Sequence, residues 1–322
     1  MKNIAILTGG DSAESDISIL SANTVLKHLN PKLFNSYIIH LKNNNFYTYI
    51  KKNKIDVDKS NFSFEIENKR ISFDAIFMAL HGSPAENGLI QPYFDKLNIP
   101  YTSCNAEVSA LTFNKYECNK RLKKLGFSCA NSFFHKKGDS IVEKEVINRV
   151  KLPCFVKPNG AGSSFGISKV KKKEDLTKAI NTALEYDNKV LIEQFIDGIE
   201  VSCGAFNNEK NIQALPITEI ETENDFFDYQ AKYEGKSQEI TPARISEKLT
   251  IEIQKLTTEI YKAMELNGIC RIDYIIMKGK PYVIEINTIP GFTEESIIPQ
   301  QVKSAKLKLS IIFERCLLNN KK

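Results

Sequence analysis

The stretch Ile269-Cys270-Arg271-Ile272-Asp273-Tyr274-Ile275-Ile276-Met277, then Lys278-Gly279-Lys280, then Pro281-Tyr282-Val283-Ile284-Glu285-Ile286-Asn287, reads as a β-hairpin. Period-two alternation puts Arg271 and Asp273 on one face of the first strand, and Glu285 and Asn287 on one face of the second. A turn symmetric about Gly279 sets Asp273 opposite Glu285 and Arg271 opposite Asn287, with facing Cβ atoms about 4.5–5.5 Å apart. Two facing carboxylates repel unless a cation joins them. Magnesium takes one or two carboxylates plus substrate phosphates at about 2.0–2.1 Å, and Asn287 can add a neutral carbonyl oxygen. The pattern predicts a magnesium-nucleotide site. The solvated face of an exposed hairpin would carry the same residue types, and a turn asymmetric by one residue would undo the pairing.

Working backwards, Leu249, Ile253, Leu256, Ile260 and Ala263 share one face of an amphipathic helix, with Asn267-Gly268 as its stop signal. Glu221 to Thr241 is polar and turn-rich and reads as a long loop. Lys157-Pro158-Asn159-Gly160-Ala161-Gly162-Ser163-Ser164-Phe165-Gly166 lies between strands Cys154–Val156 and Ile167–Val170, with a helix to Tyr186 and a strand Val190–Phe195 beyond. Its glycines let backbone N–H groups approach a phosphate, and its serines and Lys157 add donors and charge. It fits neither G-x-x-x-x-G-K-[ST] nor G-x-G-x-x-G, and a flexible hairpin turn is the plainer alternative. In the first hundred residues short apolar strands alternate with helical stretches, which predicts an α/β layer of parallel strands. Ile4–Leu7 ends in Gly9-Gly10 and Asp74–Leu80 in His81-Gly82, so both loops should line one crevice at the strands' carboxyl ends. A further helical stretch carries Lys115.

Length supports this division. A chain of 322 residues exceeds the usual single domain. Units are expected at 1–102, 103–197 and 198–322. No apolar run suits a secretory signal or a membrane span, so a cytoplasmic protein without a membrane partner is expected. The seven cysteines are scattered and odd in number, which predicts reduced core thiols. A net charge of +5 is modest, and Lys171-Lys172-Lys173 runs straight into Glu174-Asp175, so nucleic acid is not implied.

Taken in order, these pieces resemble D-alanine:D-alanine ligases over nearly the whole chain. The matching stretches are Thr8 to Glu14, His81-Gly82 through Glu86-Asn87-Gly88, Phe155 to Pro158 with the glycine loop, Tyr229 to Tyr233, Arg271-Ile272-Asp273, and Glu285 to Thr293. The resemblance implies an ATP-grasp fold, α/β and α+β, with an N-terminal open α/β (Rossmann-like) substrate domain. ATP would lie between the central and C-terminal units with two Mg2+ ions, Mn2+ being able to substitute. It further implies that Lys115, Lys157 and Lys232 contact phosphates or nucleotide, with Ser163 and Ser164 in the loop over them. Glu193, Gln194, Phe195 and Ile196 would line the adenine pocket, Glu200 would hold ribose, and Asp273, Glu285 and Asn287 would ligate the metal.

For the amino acids it assigns Glu14, backed by Ser163 and Tyr233, to the first D-alanine ammonium, and Arg271 to the oxyanion. Gly291, Ser296 and Ile297 would take the second substrate's carboxylate, with His81 a further second-substrate candidate. A homodimer and cell-wall precursor synthesis are implied by the family alone. Alternatives within the fold are D-alanine:D-lactate and D-alanine:D-serine ligases, against which Tyr233 speaks, and a nucleotide-binding protein without catalysis. The chain departs from the family pattern at Ala85, Asn87 and Pro92, at Cys270 and Tyr274, and at Glu294-Glu295 beside Ser296.

Overall fold

The computed structural model describes residues 1–160, 162, 165–208, 211–222 and 237–318. Strand β1 (Lys2–Gly9) is buried from Ile4 onward. The helix that follows, α1 (Ser15–His28), turns small residues inward, Ser18, Ser21 and Ala22, with Val25. Strands β2 (Phe34–Lys42), β3 (Asn45–Ile50) and β4 (Asn53–Asp56) come next, then a small separate hairpin of β5 (Phe64–Ile66) and β6 (Lys69–Ile71), then β7 (Ala75–Met78). The sheet order is β4-β3-β2-β1-β7. β1 runs parallel to β2 and β7 as expected, but β3 and β4 extend the sheet antiparallel. The expected layer of parallel strands thus holds for β2, β1 and β7 and gives way to antiparallel pairing at β3 and β4. Asn43-Asn44 and Lys51-Lys52 hold positive φ in two-residue turns, which close hairpins; the second pair has no glycine or asparagine to announce it.

Helix α2 (Gln91–Lys96) carries Pro92 at its start, where the missing N–H costs no intrahelical bond. Helices α3 (Ala106–Phe113) and α4 (Lys115–Lys124) follow, capped by the side chains of Asn105 and Asn114. Val108, Cys118 and Leu122 from this pair pack into the core of the C-terminal sheet.

Next come strand β8 (Ser132–Lys136), helix α5 (Glu143–Val150), strands β9 (Cys154–Pro158) and β10 (Ser168–Val170), helix α6 (Leu176–Leu184) and strand β11 (Lys189–Gln194). They form an antiparallel sheet of order β10-β9-β11-β8. Its inner face (Val156, Val170, Val190, Ile192) packs on Val146 and Val150 of α5 and Leu176, Ile180 and Ala183 of α6.

The last sheet comprises β12 (Ile199–Asn208), β13 (Asn211–Ala214), β14 (Thr218–Thr222), β15 (Ser237–Ile240), β16 (Ile269–Met277) and β17 (Lys280–Asn287), ordered β15-β14-β12-β16-β17 with β13 beside β12. Glu221 to Thr241 is therefore not wholly a loop: Glu221 pairs with Gln238 and Thr222 with Ser237. Helix Glu247–Ala263 starts at the Ser246 cap and buries Ile253 and Ile260. It ends before the expected Asn267-Gly268 stop, at Met264 and a left-handed Glu265. Helices Ile297–Ser304 and Leu309–Leu318 close the chain, and Phe292, Ile298, Val302, Ile312 and Phe313 share a core with Ile4, Ile6 and Phe77 of the first unit. All seven cysteines are free and buried. No helix among the described residues is long and apolar enough to cross a membrane.

Candidate active site

The deciding hairpin forms with its site pairs as read: Arg271 faces Asn287 and Asp273 faces Glu285. The turn does not. Met277 pairs with Lys280 across the two-residue loop Lys278-Gly279, both at positive φ, and the register then shifts between Asp273 and Tyr274. Ile284 is the extra residue of this bulge, and it restores the pairing that a turn one residue longer would have given. The bulge also explains why Val283 and Ile286, an odd number apart, both face the core with Tyr274 and Ile272 while Glu285 and Asn287 face the site.

Asp273, buried, accepts hydrogen bonds from both Arg271 nitrogens (Nε to Oδ1 and Nη2 to Oδ2, 2.8 Å each), from Asn287 Nδ2 at 2.9 Å and from Ser202 Oγ at 2.5 Å. Burial by itself would lower the Arg271 pKa, but Asp273, Glu285 and Glu239 push it up, so the guanidinium stays charged. Lys115 Nζ lies 3.3 Å from Glu285 Oε1. Each carboxylate of the hairpin thus has a cationic neighbour. Asp273, Glu285 and Asn287 make a donor set of two carboxylates and an amide that fits magnesium only when phosphate oxygens complete the shell. No group of three or more His, Cys, Asp or Glu side chains suited to a metal gathers among the described residues.

A cleft of about 690 Å³ runs between the first unit and this hairpin. Glu14, His81, Lys115, Arg271, Glu285, Asn287, Gly291, Ser296 and Ile297, all singled out from sequence, line it. Glu14 ends the loop before α1 and makes no capping bond to the helix with its side chain. Its carboxylate lies between two glycines of different units: a Cβ at Gly82 would come 2.8 Å from Oε2, and one at Gly162 would come 3.0 Å from it. At the far end Ser296 precedes helix Ile297–Ser304 and its hydroxyl meets Thr293 Oγ1 at 2.6 Å, not the helix backbone.

His81 is buried and neutral. Its Nδ1–H donates to the Ile289 carbonyl at 2.9 Å, so Nε2 accepts from Ser21 Oγ at 2.8 Å. Burial lowers its pKa, against the opposing pull of Glu14. The Ser21 oxygen also accepts from Phe292 N at 3.1 Å, tying α1 to the loop that leads to Ser296.

The nucleotide candidates other than Lys115 fall elsewhere. Lys157 and Glu193 form a buried ion pair across β9 and β11, and Asn119 of α4 donates to Glu193. Phe195 stacks edge-on against Phe155 at 5.8 Å with Lys169 Nζ 4.1 Å from its ring centroid; Ile196 is buried, and Gln194 and Glu200 are half-buried. None of these lines the cleft. Ser163, Ser164, Lys232 and Tyr233 lie outside the described residues.

Besides Glu294 and Glu295, which sequence marked only as departures from the family pattern, two more carboxylates on the cleft, Glu86 and Glu239, received no role from sequence. Glu86 sits inside a quoted motif, and burial with the nearby Glu14 charge raises its pKa to about 8. Glu239 sits on β15, where the segment had been read as loop; only the ladder to β14 reveals that it faces the site.

With this geometry in hand, the chain matches two family models, D-ala D-ala ligase N-terminus over residues 3–104 and D-ala D-ala ligase C-terminus over residues 122–317. The chain belongs to the D-ala D-ala ligase family. Similar curated relatives include the D-alanine--D-alanine ligases of Flavobacterium johnsoniae, 47% identical over 98% of both chains, and Phocaeicola vulgatus, 44% identical over 99% of both. Solved structures with the same fold include the VanG D-Ala:D-Ser ligase from Enterococcus faecalis, at TM-score 0.86 and 32% identity over 98% of each chain. The D-alanine--D-alanine ligase from Bacillus anthracis complexed with ATP gives TM-score 0.80 and 25% identity over 99% of this chain and 97% of that one. The ATP-grasp architecture expected of this ligase family, with an α/β sheet ahead of it, is the one observed.

Proposed function

We propose that this chain joins two D-alanine molecules into D-alanyl-D-alanine, converting ATP to ADP and phosphate, for peptidoglycan precursor synthesis. The observation that carries this reading is the placement of Arg271 in a cleft with Glu14 on one side and Ser296 with the start of helix Ile297–Ser304 on the other. A carboxylate suits an ammonium, and a helix N-terminus suits a carboxylate. A guanidinium between them suits a developing oxyanion.

In this mechanism Glu14 holds the ammonium of the first D-alanine, and the γ-phosphoryl group of ATP passes to that substrate's carboxylate, giving D-alanyl phosphate and ADP. The second D-alanine, its carboxylate held by Gly291 N–H, Ser296 Oγ and Ile297 N–H, attacks the acyl carbon with its amine. Arg271 stabilises the tetrahedral oxyanion, the C–O bond breaks to release phosphate, and the ammonium loses two protons overall, one to free the attacking amine and one from the new amide nitrogen. Lys115 and Lys157 would meet phosphates, with Glu193 to Ile196 and Glu200 on the nucleoside, between the central and C-terminal units. Asp273, Glu285 and Asn287 would hold Mg2+, which when bound offsets phosphate charge.

The test is ADP release by the purified protein with Mg-ATP and D-alanine, L-alanine, D-lactate or D-serine, with products identified by mass. Strictly D-alanine-dependent ADP release with a dialanine product is expected. No stimulation by any of them, or a preferred mixed product with D-serine or D-lactate, overturns the assignment.

A further inference from the structure

Glu239 is the one carboxylate on the cleft that comes from the outer strand β15, and the sheet ladder fixes which way it faces. It pairs with Ile220, Ile220 pairs with Glu200, and Glu200 pairs with Ile275, two residues on from Asp273. Directly opposed residues share a face, as do residues two apart. Glu239 therefore projects from the same face as Arg271 and Asp273, and it lines the cleft with Arg271, Ser296 and Ile297. Its Oε2 accepts from Gln300 Nε2 at 2.8 Å. Gln300 lies in the first turn of helix Ile297–Ser304, its N–H 3.3 Å from the Ser296 carbonyl, and the same Nε2 also reaches the Glu295 carbonyl at 2.6 Å. Glu239 is thus pinned beside the helix start that the proposed reaction uses for the second substrate's carboxylate.

An α-amino acid carries its ammonium on the carbon next to its carboxylate. A site that holds the carboxylate at a helix start leaves the ammonium to be met by the acids that border that start: Glu294 is already paired with Lys27, and on the Arg271 side stands Glu239, whose pKa burial raises against the pull of Arg271. We infer that Glu239 is a substrate-contacting residue that receives the ammonium of the second amino acid and so selects an amino acid over a hydroxy acid of the same shape. This rests on the dialanine reading above and adds to it a residue that no step there uses. A charge-assisted hydrogen bond of this kind contributes enough that its loss weakens binding at least about tenfold.

The experiment compares wild-type protein with Glu239→Gln, which keeps size and the Gln300 contact but removes the charge, by initial rates over separate ATP and D-alanine concentrations. The expected result is a KM for the second D-alanine raised at least about tenfold, with kcat, the first-site KM and the ATP KM within about twofold of wild type. D-Lactate, tested as a competitor of the second D-alanine, should inhibit both forms equally. An unchanged second-site KM overturns the inference. So does a fall in kcat with KM unchanged, which would make Glu239 a positioning residue for Arg271, or an equal weakening of D-alanine and D-lactate. Glu239→Asp, which keeps the charge, should recover part of the second-site KM. If wild type itself makes no dialanine, the reaction assignment fails; if wild type is active and Glu239→Gln behaves like it, this inference alone fails.

Discussion

Arg271 holds both oxygens of Asp273 in a planar fork, and Asp273 is almost fully buried. Removing the guanidinium takes away the proposed oxyanion donor and leaves a buried carboxylate without its cation. Arg271→Ala is expected to lower kcat by about 10²–10³ and to destabilise the fold by about 3 kcal/mol. Arg271→Lys, which keeps the charge but not the fork, should lose activity with a smaller loss of stability, as read by urea unfolding beside initial rates. Glu86 gives a second residue-scale expectation. Its side chain is 17% exposed, and burial raises its pKa from 4.5 to about 8. Between those values the folded protein keeps a proton that the unfolded chain has released, so Glu86 makes stability fall as pH rises through that window. Glu86→Gln should flatten the slope. The variant should gain relative to wild type at pH 8 over pH 5 by an amount on the order of a few kcal/mol, measured by unfolding at both pH values.

At the scale of elements, the hairpin carries two of the metal-ligand candidates, Glu285 and Asn287, on the edge strand β17, where Pro281 can be tolerated, and the third, Asp273, on the inner strand β16. Its turn rests on two residues at positive φ, Lys278 and Gly279, and a Cβ at Gly279 would meet nothing within 4 Å. Gly279→Ala should therefore cost only the conformational penalty, roughly 1–2 kcal/mol in thermal unfolding, with substrate KM values unchanged. A larger loss, or one that raises the KM for ATP, would mean that the turn also sets the bulge at Ile284. The hairpin's ends and its site pairs were legible in the alternation of the sequence. The bulge was not, because an extra residue leaves no mark in composition, and a two-residue turn plus a bulge gives the same outer pairs as a longer turn. Strands β3, β4 and β15 escaped for a related reason: their turns or polar faces carry no apolar alternation strong enough to separate strand from loop.

For the whole molecule, residues 1–102 and 198–322 meet through a shared apolar core and through polar contacts that include one buried hydroxyl. Ser21, fully buried on α1, bonds His81 Nε2 and Phe292 N at once. Ser21→Ala strands two buried polar groups and should cost roughly 1–3 kcal/mol. It should also raise the KM for the second D-alanine, because the Phe292 loop leads to Ser296. The proposed nucleotide site draws on two sheets, so its ligand should stabilise the assembly by mass action. Mg-ATP at about 100 times its Kd is expected to add about 2.7 kcal/mol to unfolding stability, and ATP with a chelator much less.

The sequence by itself determined the hairpin with its paired acids and arginine, and the likeness to a ligase family, because local alternation and short motifs are properties of neighbouring residues. Only the tertiary structure decided that Glu14 lies between Gly82 and Gly162, that His81 is buried between Ser21 and Ile289, and that Glu239 shares a face with Arg271. Those relations join residues sixty or more positions apart, or hang on a ladder between strands, and such contacts come from packing and register, which no local pattern encodes.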